Sequence, residues 1–109
     1  MRSVYLINVE GTNTYKIGFS KNPKIRKSGL QTANPGKLIV TDFYKSHRAS
    51  QIETIIHNRF QSKKTSEDGE ILQGEFFKLD ESDVSNFQET CKKIDDTLKF
   101  LENNSTLFD

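Results

Sequence analysis

Ser3-Val4-Tyr5-Leu6-Ile7-Asn8-Val9, then Glu10-Gly11-Thr12-Asn13, then Tyr15-Lys16-Ile17-Gly18-Phe19-Ser20: two short runs rich in Val, Ile and Tyr stand on either side of turn residues. Runs of this length and composition favour strands, and Gly, Thr and Asn between them favour a tight reversal. The spacing predicts an antiparallel hairpin with a loop of about four or five residues. Successive strand side chains point to opposite faces. In the second run Tyr15, Ile17 and Phe19 therefore share one face, and Lys16, Gly18 and Ser20 share the other. A large apolar face against a small polar one predicts core on one side and a site on the other.

The rest of the chain builds outward from that hairpin. Ser20 or Asn22 can cap a helix that opens at Pro23, where proline is favoured, and runs to about Gln31. Asn34-Pro35-Gly36 reads as a turn, and Lys37–Tyr44 as a third strand. A second helix is expected over Arg48–Gln61, with Ala49, Ile52, Ile56 and Phe60 as its apolar stripe and Ile55 at one margin. Glu53 falls at the other margin, with His57 one turn further on. Lys63–Gly74 is polar and reads as a loop; Gly74–Leu79 is a short apolar segment suited to an edge strand. From Asp80 or Ser82 a helix of about 20 residues is expected, since Val84, Phe87, Cys91, Ile94, Leu98 and Leu101 recur at steps of three and four. Docking across the sheet is favoured over a coiled-coil homodimer, because fewer than three heptads are present. The expected class is α/β in the α+β sense: a small antiparallel sheet flanked by helices, closed by a C-terminal amphipathic helix. Residues 1–79 form the core, 80–103 the helix packed on it and 104–109 a loose tail, all within one domain.

Composition narrows the function. A chain of 109 residues is one domain, able to bury roughly 65% of its unfolded surface. Eight Phe and three Tyr must supply much of a core in which only 33% of residues are hydrophobic. With Cys91 as the sole cysteine there is no internal disulfide and no cysteine-based zinc site. No run could span a bilayer and no leader-like segment opens the chain, so a cytoplasmic protein without a membrane partner is expected. The net charge of +1 conceals a division. Residues 1–64 carry 12 Lys+Arg against 3 Asp+Glu, a net +9; residues 65–109 carry 4 against 12, a net −8. A basic half points to an anionic partner for that half, although mutual neutralisation within one fold would give the same composition.

Four residues stand out by chemistry: Tyr5 and Lys16 on the first two strands, Arg26 on the first helix and Glu53 on the second. A phenol, an ammonium, a guanidinium and a carboxylate could together hold a metal ion and a phosphodiester, which is what a nuclease needs. Each also has a plainer reading. Ser50-x-x-Glu53 is a capping-box pattern; Tyr5 could be a half-buried strand tyrosine, Arg26 a solvated helix residue and Lys16 an exposed strand lysine. His57 could assist or could be a half-buried histidine, and His47 reads as surface. Glu75 could approach the cleft from the apolar segment, and Tyr15 lies beside Lys16 but on the opposite face. Lys21, Lys24, Lys27, Lys37, Arg48, Arg59, Lys63 and Lys64 are candidates for contacts to a phosphate backbone.

These residues resemble the GIY-YIG nuclease superfamily, most nearly its phage-associated branch, whose second motif reads Lys-Ile-Gly. Ser3-Val4-Tyr5 stands at the first motif and Lys16-Ile17-Gly18 at the second. Arg26 stands at the helix-one arginine, followed by Leu30-Gln31-Thr32, and Glu53 at the metal-binding glutamate; Gly74-Glu75-Phe76-Phe77 is similar to the closing motif. The likeness covers about Ser3 to Leu79. It implies a three-stranded antiparallel sheet and divalent-metal-dependent cleavage of DNA. In that reading Glu53 holds Mg²⁺ or Mn²⁺, Tyr5 is the general base with its pKa lowered by Lys16 or Arg26, and Arg26 grips the phosphate. The chain departs from the pattern at Lys16, where the wider superfamily has tyrosine, and at Ser3, where it has glycine. The resemblance also implies a phage or mobile-element setting. Two other readings remain open: a non-catalytic nucleic-acid-binding module on the same fold, and an interaction protein using its acidic C-terminal half. The chain has no separate DNA-reading module, so a targeting partner protein or a homodimer through the last helix would supply any further address.

Overall fold

The computed structural model describes residues 1–34, 36–65 and 76–104. Glu75, the loop residues 66–74, Pro35 and the tail from residue 105 lie outside the described residues. Five strands form one antiparallel sheet: β1 (Arg2–Val9), β2 (Thr14–Ser20), β3 (Leu38–Ser46), β4 (Lys64–Thr65) and β5 (Phe76–Lys78), in the order β3-β1-β2-β5-β4. Helix α1 (Pro23–Gln31) follows the hairpin, α2 (Ala49–Arg59) follows β3, and α3 (Glu81–Ser85) and α4 (Phe87–Asn103) close the chain.

The α+β class stands, but the sheet has two strands more than the three that the resemblance implies. The segment around Phe76 is not an edge: β5 lies between β2 and β4, pairing Lys16 with Phe76 and Phe77 with Lys64. The expected loop from Lys63 begins with a 3-10 turn at Gln61–Lys63 and then β4. The long terminal helix is interrupted at Asn86.

The hairpin forms where expected, with Tyr5 opposite Gly18 and Ile7 opposite Lys16. Its loop turns at Gly11, whose φ of 78° suits a residue without a Cβ. Asn22 caps α1, its Oδ1 accepting from the backbone of Lys24 and Ile25. The capping box that does form is at α3, where Asp80 and Asp83 each accept from the other's backbone N–H.

Both faces of the sheet carry a core. On one face Val4, Leu6 and Ile17 meet Ile52 and Ile56 of α2 and Phe87, Cys91 and Ile94 of α4. Each such buried aliphatic or aromatic side chain contributes about 1.5–3 kcal/mol. On the other face a smaller cluster joins Tyr5 and Ile7 to Leu38 and to Leu30 of α1. The Gln31 side chain fastens the turn after α1: its Nε2 donates to Gly36 O at 2.7 Å and its Oε1 accepts from Leu38 N at 2.8 Å.

The charge division is partly resolved inside the fold. Arg48 donates to Asp95 at 3.1 Å and, as a two-pronged contact, to Glu102 at 3.0 and 2.7 Å. Asp95 also accepts from Tyr44 Oη at 2.9 Å and Ser46 Oγ at 3.0 Å, so one carboxylate binds β3 and the start of α2 to α4. Burial and this acceptor push the Tyr44 phenol up to about 12. Lys63 is held by Asp83 and Asp80. Arg48 and Lys63, both read in the sequence as candidate DNA contacts, thus pair with carboxylates of the acidic C-terminal half.

Candidate functional site

Among the described residues β5 pairs with β2 at Thr14, Tyr15 and Lys16. One residue on, the Ile17 carbonyl accepts a hydrogen bond from His57 Nε2 at 2.6 Å. A carbonyl only accepts, so the proton sits on Nε2. The ring also packs on Phe77, with centroids 5.0 Å apart. His57 thus anchors α2 beside β2. A cleft of about 360 Å³ opens there, lined by Tyr5, Lys16, Ile17, Gly18, Phe19, Arg26, Glu53 and His57. The four residues singled out by chemistry, 48 positions apart at the extremes, line one space.

Gly18 explains how Tyr5 enters it. The two residues are cross-strand partners, and a Cβ on Gly18 would fall on the Tyr5 hydroxyl and 2.5 Å from its Cζ. The phenol therefore lies across bare backbone, which only glycine permits. Tyr5 is buried rather than half-buried, and Arg26 lines the same cleft. Burial raises the Tyr5 pKa; Arg26 opposes this and Glu53 adds to it, and the net direction is up. The lowering expected from a cation is present but outweighed by burial.

Glu53 is the fifth residue of α2. The helix is capped at Arg48 without a side-chain bond, so the capping-box reading of Ser50 and Glu53 does not hold. The Glu53 side chain is 19% exposed at the cleft wall, with Oε1 3.9 Å from His57 Nε2. Lys16 is not an exposed strand lysine: it is buried, its Nζ 5.4 Å from the Phe76 ring centroid. Arg26 is exposed on α1.

Other expectations fare differently. Tyr15 packs on the larger core, on the face away from Lys16, and does not line the cleft. Lys24 and Lys27 stand with Lys37 along a groove of about 450 Å³ between α1 and β3. Lys21, Lys64, Arg59 and His47 are exposed. Sequence reasoning passed over Phe19, which lines the cleft and takes Arg2 over its ring at 5.4 Å. It also missed Gly18 as the seat of Tyr5, although a glycine inside a strand signals a close approach of this kind. No helix among the described residues is long and apolar enough to cross a membrane.

An antiparallel α+β sheet thus carries a phenol, an ammonium, a guanidinium and a carboxylate round one cleft. The chain belongs to the T5orf172 domain family, a phage-associated family of nuclease-type proteins, whose model matches residues 2–95. The match runs past Leu79, where the likeness of motifs ends, into α4 as far as Asp95. No curated protein and no solved structure matches the chain.

Proposed function

We propose that this chain is a divalent-metal-dependent DNA endonuclease of the GIY-YIG type, hydrolysing phosphodiester bonds in the cleft beside β2. The observation that carries the reading is the convergence of Tyr5, Lys16, Arg26 and Glu53 on one cleft.

The donor set suits a hard cation. Glu53 offers one carboxylate at an open wall, and among the described residues no three His, Cys, Asp or Glu side chains gather as a metal cage. Mg²⁺ typically takes one or two protein carboxylates, keeps several waters and shares phosphate oxygens with its substrate, so Glu53 would hold Mg²⁺ or Mn²⁺. His57 Nε2 is taken by the Ile17 carbonyl and is not a ligand. When bound, the ion supplies Lewis-acid stabilisation of charge on the phosphate. The chain's own groups do the rest. Arg26 presents a planar fork to the phosphate oxygens. Lys16 adds a point charge at the buried end of the cleft. Tyr5 is the group placed to take a proton from the attacking water, and the positive charge of Arg26 favours the phenolate that this requires.

The raised pKa of Tyr5 favours a second reading, a binding module that holds nucleic acid without cutting it. One assay separates the two. Supercoiled plasmid is expected to relax or linearise with Mg²⁺ or Mn²⁺ and to stay intact with EDTA. Salt-sensitive binding with no cleavage under either metal would give the binding-module reading instead.

A further inference from the structure

The row of side chains that contains Tyr5 continues across the sheet. Gly18, Tyr5 and Phe43 are consecutive cross-strand partners on β2, β1 and β3. Tyr5 leans over Gly18, away from β3. Phe43, on the other side of Tyr5, is 44% exposed. On the next row of the same face stands Lys45, opposite Ser3 and also exposed.

An exposed phenylalanine on an outer strand commonly marks a place for a second chain to add by strand pairing. Here that edge is sealed at the same residue. Asp42 Oδ1 accepts from Phe43 N at 2.8 Å, and Gln88 Nε2 donates to Phe43 O at 2.6 Å. The backbone is occupied while the ring is open, so the ring serves something that lies on the face of the sheet rather than along its edge.

The geometry points to Phe43 as a stacking platform for an unpaired nucleobase next to the phosphate held in the cleft, with Lys45 on the adjoining phosphate. The proposal deepens the nuclease reading and rests on it. Phe43 lies two strand spacings, about 10 Å, from the Gly18 strand that floors the cleft. A strand gripped at Arg26 would carry its neighbouring nucleotide over that row. Aromatic rings bind bases by stacking without regard to sequence. The site thereby selects a substrate with at least one unpaired or flipped nucleotide beside the scissile bond.

The chain contains no tryptophan, so Phe43→Trp places a single indole on the platform. In EDTA, at low salt, oligothymidylate is expected to quench that indole, whereas inorganic polyphosphate, which has phosphates and no bases, leaves it bright. Phe43→Ala is expected to bind labelled oligothymidylate about 5- to 150-fold more weakly by anisotropy, and Phe43→Tyr to restore binding. Binding without quenching, together with unchanged affinity in Phe43→Ala, would overturn the platform and leave the nuclease reading intact. Failure of the wild-type chain to bind the oligonucleotide at all would overturn both. A wild-type dimer in sedimentation that Phe43→Ala dissociates would overturn the platform in favour of a protein contact.

Discussion

Glu53→Gln is expected to slow metal-dependent plasmid cleavage by about 10³-fold or more, a loss of roughly 4 kcal/mol of transition-state stabilisation. The substitution keeps the shape of the side chain and removes its charge. Glu53 has no part in starting α2, since the cap falls at Arg48 and makes no side-chain bond. Its wall of the cleft is held by other means: Ile52 and Ile56 are fully buried on either side of it, and His57 is anchored on the Ile17 carbonyl. The melting temperature is therefore expected to stay close to wild type while the rate collapses. Among the described residues the carboxylate is the cleft's one acidic group, and a hard cation loses most of its hold when that group becomes a neutral amide. Cleavage by Glu53→Gln within threefold of wild type, at equal metal concentration, would falsify the assignment of the metal to this residue.

The second large effect is expected at Gly18→Ala. One methyl group would have to occupy the space of the Tyr5 hydroxyl and lie 2.5 Å from Cζ, so the phenol must leave its seat. Overpacking of this kind costs about 1–3 kcal/mol. The functional loss is larger, because Tyr5 is the proposed base and its phenol leaves the cleft that it lines. Misplacement of a reacting group by about 1 Å can cost 10²-fold. A double-mutant cycle tests the cause. Gly18→Ala should destabilise the wild-type chain but have almost no effect on stability in a Tyr5→Ala background, where the seat is empty. Equal destabilisation in both backgrounds would show that glycine serves the strand itself and not the phenol.

The hairpin, α1 and the cleft side of β2 were legible because each rests on short-range chemistry. Alternation placed Lys16 and Gly18 together, and Asn22-Pro23 marked the start of a helix. What escaped depends on partners distant in the chain. β4 is two residues long and carries no periodicity, and β5 becomes an inner strand only because β4 returns to cover it. The charges of Arg48 and Lys63 look like DNA contacts in a one-dimensional count. Their partners, Asp95 and Asp83, stand 47 and 20 positions away, and long flexible side chains leave no local trace of such pairing. The Tyr5 pKa was misjudged for a similar reason. The neighbouring cation was readable from the motifs, but the depth of burial that outweighs it arises only when α1 and α2 close over the strand.

The two cores have an unequal consequence for the cleft that they flank. Arg26 rides on α1, which buries only Leu30 of its nine residues, against a cluster of four buried side chains among the described residues. Glu53 rides on α2, which buries Ala49, Ile52 and Ile56 in a cluster of twelve. Proteins open in parts, and the part with less buried area opens first. The wall bearing the guanidinium should therefore come away from the sheet in brief excursions while the wall bearing the carboxylate stays in place. Amide protons of α1 are expected to exchange with solvent well before those of α2. A cleft hinged on its lighter wall can admit a bulky strand and then shut on it.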